Sequence, residues 1–232
     1  MDYRYIQADR EETIETAKRF VVDTIWKIAN IELVRGITFP ETQEIFDGRV
    51  PNNVDVNTVL VVNDLKHAWQ FLFENIDYPL SLELLSEYNH LIKGSSSKDA
   101  GKIRSLPVPV TGTTFIPPIP SYESVKNQLE NMKLIENPVD RALEAFSLIS
   151  RGQWFMDGNK GTAQMVANHI LIQANAGVLS IPVELKAKFF EKLLEYYESA
   201  DSAPLKNDLY ETSIGMIPSG LPMPLLEQLE EK

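Results

Sequence analysis

Between residues 153 and 164 the chain reads Gln-Trp-Phe-Met-Asp-Gly-Asn-Lys-Gly-Thr-Ala-Gln, which sets a carboxylate, side-chain amides and an ammonium group around a glycine-containing turn. Upstream, Val139, Ala142, Leu143, Phe146 and Ile149 recur at helical spacing behind an Asn137-Pro138 start, an amide that caps and a proline suited to the first turn. Downstream, Ala163, Val166, Ala167, Ile170 and Leu171 repeat the pattern. The backbone at Asp157, Gly158 and Asn159 must therefore reverse and open a new helix. The first N–H groups of that helix and the positive end of its dipole face whatever lies over the turn, and an anion suits both. Asp157 is a hard oxygen donor of the kind Mg²⁺ takes alongside phosphates. Gly158, Asn159, Lys160 and Gly161 form the candidate phosphate cradle.

These residues resemble the signature of the Fic family, H-x-F-x-D/E-G-N-G/K-R, with Phe155, Asp157, Gly158, Asn159 and Lys160 on matching positions. The resemblance implies an all-α Fic-type helical bundle with a short β-hairpin flap. It also implies ATP or another nucleotide with Mg²⁺, and transfer of AMP to a hydroxyl of a target protein. The histidine that takes the hydroxyl proton falls on Gln153, and the arginine that grips the phosphates falls on Gly161. A side-chain amide neither gains nor loses a proton near neutral pH, so a general-base contribution of about 10²–10⁴-fold is absent. Lys160, a point charge, replaces a bidentate grip imperfectly.

The elements that must position this loop follow in chain order. Glu11 to Ile28 has the spacing of one amphipathic helix. In many Fic proteins a glutamate near here pairs with a motif arginine and blocks ATP. Glu32 is the only acid near that place, is followed by neither Gly nor Asn, and by the resemblance has lost its partner, since Gly161 replaces the arginine. It is expected to be a solvent-facing helix end with no hold on the site. Pro40 and Gly48 bracket a short helix, Asp55 or Asn57 starts a long one through Phe73, and Ser81 caps another that stops at Gly94. His67 and His90 lack a second ligand at a coordinating spacing. His169 lies too far along its helix to replace the missing base.

Residues 102–118, with alternating Val108 and Val110, a Thr111-Gly112 turn and Pro117-Pro118, read as a strand hairpin. By the resemblance this is a flap whose Val108, Val110, Gly112 and Thr113 dock a target's backbone beside the nucleotide, a task suited to an unpaired strand edge. Val125, Leu129 and Met132 mark a further helix, and Leu185, Phe189, Leu193, Leu194 and Tyr197 an aromatic-rich core stripe. The tail holds Pro218, Pro222 and Pro224 and a short acidic helix from Leu225 to Glu231. The organisation expected is an N-terminal helical extension (1–58), a Fic-like core (59–200) and a C-terminal helix with a Pro-rich tail (201–232).

A chain of 232 residues, 44% hydrophobic, can bury a full core. A formal charge of −11 argues against nucleic acid as the main partner, and no apolar run is long enough to span a membrane. The absence of cysteine excludes thiolate chemistry and is compatible with a cytoplasmic location. A protein target at the flap is the partner implied, with an oligomer possible. The competing class is a protein-interaction or regulatory module that uses the flap groove without nucleotide.

Overall fold

A computed structural model describes residues 3–217 and 219–230; Pro218, and Glu231 at the end of the expected tail helix, lie outside them. The polypeptide forms α1 (Arg10–Arg19), α2 (Val21–Glu32), α3 (Phe39–Phe46), α4 (Val56–Glu74), α5 (Leu82–Lys93), α6 (Tyr122–Lys133), α7 (Pro138–Gly152), α8 (Asn159–Gln173), α9 (Lys186–Ser199), α10 (Ala203–Ser213) and α11 (Met223–Glu230). Strands β1 (Val178–Leu179) and β2 (Ile214–Gly215) pair antiparallel.

Helix α8 is the axis of the bundle. Asn159 and every residue from Gly161 to Ile172 are buried, so this helix has no wet face and its apolar pattern runs all round. Helices α7, α5, α4 and α2 cover it, and one hydrophobic cluster extends from Tyr3 to Met223. The polar groups on α8 are matched to specific partners. Asn168 donates to and accepts from the Leu179 backbone at 2.9 and 2.8 Å, which fixes β1. His169 donates through Nε2 to the Tyr78 carbonyl at 2.9 Å and accepts the Tyr88 hydroxyl at Nδ1 at 2.8 Å. Burial lowers the His169 pKa, so this histidine is a neutral core hydrogen-bonding group.

Local signals act as the sequence suggests at several helix starts. Asp55, Ser81, Ser121 and Asn137 each accept N–H groups of their first turns, and Thr38 forms a reciprocal capping box with Glu41. Gly48 takes a left-handed φ of 84° where a helix stop is needed.

Two local expectations need revision. The helix anticipated over residues 11–28 is broken at Phe20, where the cap of α1 is the start of α2. Residues 102–118 contain no strand pairing among the described residues; their one bridge joins Ile103 to Phe155 of the motif loop. The two-stranded sheet of this otherwise helical fold lies instead at β1 and β2. Val108 and Val110 do alternate, but Pro107 before them and Pro109 between them lack the N–H groups that a ladder requires.

Candidate functional site

Helix α7 ends at Gly152, and Gln153 takes the left-handed conformation (φ 45°) that turns the chain out of the helix. Trp154 and Phe155 then bury their rings in the core and anchor the loop from below. Asn159 closes it: Oδ1 accepts the Phe155 N–H at 2.9 Å, while Nδ2 donates to the Phe155 carbonyl at 2.9 Å and to Gln153 Oε1 at 3.1 Å. The Asn159 side chain is thus engaged by the loop itself, and what it offers a ligand is its backbone N–H.

Gly158 starts α8 in the left-handed region at φ 75°, with no side chain capping the helix. Thr162 makes the first backbone bond, to the Gly158 carbonyl at 2.9 Å. Among the described residues the N–H groups of Asn159, Lys160 and Gly161 have no acceptor, and Lys160 Nζ has no carboxylate partner. Asn159 and Lys160 line a cleft of about 330 Å³, together with Val108 and Val110 of the flap segment, Gln153, Asp157 and Gly158 of the loop, and Phe190, Leu194 and Tyr197 of α9. That volume is in the lower range of small-molecule sites.

Asp157 is committed to neighbours. Its Oδ1 accepts the Gly158 N–H at 2.6 Å, and its Oδ2 lies 2.7 Å from Lys93 Nζ. Burial raises the pKa of this carboxyl, but the Lys93 hydrogen bond and charge outweigh that and hold it below the ordinary range. Among the described residues no cluster of acids or histidines forms a metal site. A Mg²⁺ ion at Asp157 would therefore have to share a carboxylate, 64% exposed, that Lys93 already neutralises.

Gln153 donates from Nε2 to the Ser150 carbonyl at 2.6 Å, so its amide is fixed at both ends. Beside it sits Tyr197, whose hydroxyl is pushed up in pKa by burial first and by Glu32 next, with hydrogen bonding from Gln153 acting the other way. The phenol stays protonated at neutral pH. Gly161 is buried, and a Cβ on it would lie 3.3 Å from Ile92 and 3.6 Å from Glu32 Oε1. Glu32 is thus not the solvent-facing residue expected. Its Oε1 is buried with no hydrogen-bond partner, and it makes no ion pair with Lys160. It sits against the position where a phosphate-gripping arginine would start. One turn further along α8, Gln164 is also buried with both polar atoms unpartnered.

The flap segment is fastened from beneath by Arg104. Its main-chain N–H donates to the Trp154 carbonyl at 3.0 Å, and its guanidinium donates to the carbonyls of Gln153, Leu106, Pro117 and Pro118. Val108 and Val110 line the cleft as expected, whereas Thr113 and Thr114 bind Glu198 of α9 and Gly112 packs against Leu194. Sequence reasoning placed Tyr197 in the core stripe and passed over Lys93, Asn89, Glu198 and the structural role of Arg104. Lys93 as the last residue before the Gly94 stop carried the one available signal, a cation at a helix end.

No family model and no curated protein matches the chain. Solved structures do. Fic-1 (residues 134–508) from C. elegans superposes with a TM-score of 0.68 at 20% identity over 87% of this chain, which spans 62% of that fragment. A Fic-domain-containing signalling protein from Bacteroides thetaiotaomicron gives 0.69 at 18% identity, over 85% of this chain and 79% of that one. A Fic family protein from Desulfovibrio desulfuricans gives 0.67 at 14%, over 90% and 73%. With a motif loop joining two core helices in these surroundings, the chain has the Fic fold.

Proposed function

We propose that this protein binds the phosphate groups of a nucleotide, ATP in the first instance, at the start of α8, and that it lacks the proton-transfer step by which Fic proteins hand AMP to a protein hydroxyl. The observation that carries this reading is the set of acceptor-free N–H groups at Asn159, Lys160 and Gly161. Asn159 and unpaired Lys160 line a cleft of about 330 Å³, and Gly161 follows them in the first turn. Gln153 holds the base position with an amide fixed by Ser150 and Asn159, so it orients the loop and moves no proton. Gly161 contributes an N–H and no guanidinium.

A nucleotide bound at α8 would supply the transferable phosphoryl group; nothing at the Gln153 position would activate an acceptor. Calorimetric titration with ATP, ADP and inorganic phosphate, with and without Mg²⁺, tests the reading. Binding of ATP and ADP that weakens in the Lys160→Ala variant is expected. No heat at millimolar ligand would remove the nucleotide.

A second reading, a module that binds a protein segment at the flap, is favoured by one specific observation. Among the described residues the N–H groups of Val108 and Val110 have no acceptor and border the same cleft, so an extended segment could pair there. Loss of phosphate binding with retained peptide binding in the same titrations would favour it.

A further inference from the structure

Asp157 carries the carboxylate of the motif loop, and both of its oxygens are taken. Lys93 ends α5, where the helix dipole favours a cation. Its stem crosses Gly158 so closely that a Cβ there would lie 2.5 Å from Lys93 Cγ. Its Nζ stops 2.7 Å from Asp157 Oδ2, with the side chain only 19% exposed. Asn89 fixes the same corner, donating to the Asp157 carbonyl at 2.9 Å and to Thr162 Oγ1 at 3.1 Å, and accepting the Gly101 N–H at 2.8 Å.

Mg²⁺ demands oxygen donors in near-ideal octahedral geometry, usually a carboxylate or two with waters and phosphates. Asp157 is 64% exposed, so an ion can approach it, but at Oδ2 it would have to share the oxygen with an ammonium that its own stem, laid across Gly158, keeps close by. The two cations would then repel each other across a few ångströms. No cluster of acids or histidines among the described residues offsets that cost.

We infer that Lys93 takes the place of the divalent cation: its ammonium neutralises Asp157 permanently, so the anion at the start of α8 is bound without a metal. This rests on the anion site proposed above. Lys93 is a positioning residue, since it borders Asp157 and Gly158 rather than the cleft. It sets the loop charge to zero before ligand arrives, leaving Lys160 and the N–H groups of α8 as the net field seen by a phosphate.

The test is titration of wild type and Lys93→Met with ATP, each in EDTA and in excess Mg²⁺. Methionine keeps a stem over Gly158 and deletes the charge. Wild-type affinity is expected to change less than about twofold between the two buffers, while the variant binds at least about tenfold tighter with Mg²⁺ because Asp157 is freed. A tenfold wild-type loss in EDTA overturns the inference, and so does a variant indifferent to Mg²⁺. If ATP binds neither protein, the anion site itself has failed, and Lys93 is then judged by Mn²⁺ added alone to isotope-labelled protein. Paramagnetic broadening of the Gly158 amide, above that at exposed acids such as Glu123, in Lys93→Met only upholds the inference; any other pattern overturns it.

Discussion

At its α8 end the motif loop keeps free backbone donors and an unpaired lysine beside the cleft, while at its α7 end the position suited to proton transfer holds the amide of Gln153. Both ends are braced. Lys93 and Asn89 secure Asp157 and Gly158, and Arg104 secures the carbonyls of Gln153 and Trp154. The ends differ in side-chain chemistry rather than in backbone support. A loop can thus lose the groups that move a proton and keep the geometry that holds an anion. The bonds that shape it run through Asn159, Arg104 and Asn89, and among the described residues none runs through a histidine.

The largest expected effect breaks the brace at the α7 end. Arg104 is 2% exposed and its guanidinium meets carbonyl acceptors on both sides of the flap. Arg104→Ala should cost about 3 kcal/mol, read as a fall in the urea midpoint, because buried carbonyls are left unpaired. A loss below about 1 kcal/mol would show that the α7 end stands without it.

At the α8 end, Gly158→Ala combines a left-handed φ of 75° with a contact on the Lys93 stem. It should cost about 2 kcal/mol and weaken phosphate binding in the same sample. An unchanged midpoint would mean that the loop turn is not set by this glycine.

Lys160→Ala sharpens the comparison because it touches function alone. Phosphate affinity should fall roughly tenfold, about 1.4 kcal/mol, by calorimetry. The midpoint should hold, since Lys160 Nζ has no ion-pair partner among the described residues. Equal affinity in the two proteins would remove Lys160 from the site.

The smallest effects come from pH and separate the core from the loop. His169 has a folded pKa depressed by burial, so the unfolded chain binds its proton more readily. Its contribution is complete above the ordinary value of 6.5 and is lost as pH falls through the folded pKa. Asp157 is depressed in the same direction and contributes above 3.8, losing that only in stronger acid. With a side chain 64% exposed, its share is screened and small. Urea midpoints against pH should flatten below 6.5 in His169→Gln; in Asp157→Asn they should sit slightly below wild type above 3.8 and converge on it in stronger acid. Equal pH profiles in wild type and His169→Gln would contradict the buried, neutral assignment.

Much of the fold was legible because helix periodicity and caps are local signals. Asn137-Pro138, Ser81 and Asp55 each stand where a helix begins, and the loop from Gln153 to Lys160 joins α7 to α8 as its spacing requires. The flap was legible as a segment and misread as a strand pair, because Val108 and Val110 alternate while their proline neighbours forbid a ladder. The break at Phe20 has no glycine or proline to announce it. Glu32 was invisible as a site neighbour because its approach to Gly161 is made by the packing of α2 on α8, and no spacing within one helix encodes that. Lys93 and Asp157 are likewise brought together only by the docking of α5 on α8.

The central claim is that this loop holds an anion and does not move a proton. The direct measurement is transfer of labelled AMP from ATP, to the protein itself and to proteins of a lysate. It compares wild type, Gln153→His, Gly161→Arg and the double variant, each first shown to unfold cooperatively. Gly161→Arg would start beside the unpartnered Glu32 oxygen, 3.6 Å from the new Cβ, so the same series is repeated with Glu32→Gln. Wild type and both single variants are expected at background. Transfer should appear only when base and grip are restored together, by about 10²-fold or more, because the two act as one unit. Wild-type transfer well above background, matching that of Gln153→His or of the double variant, would contradict the account.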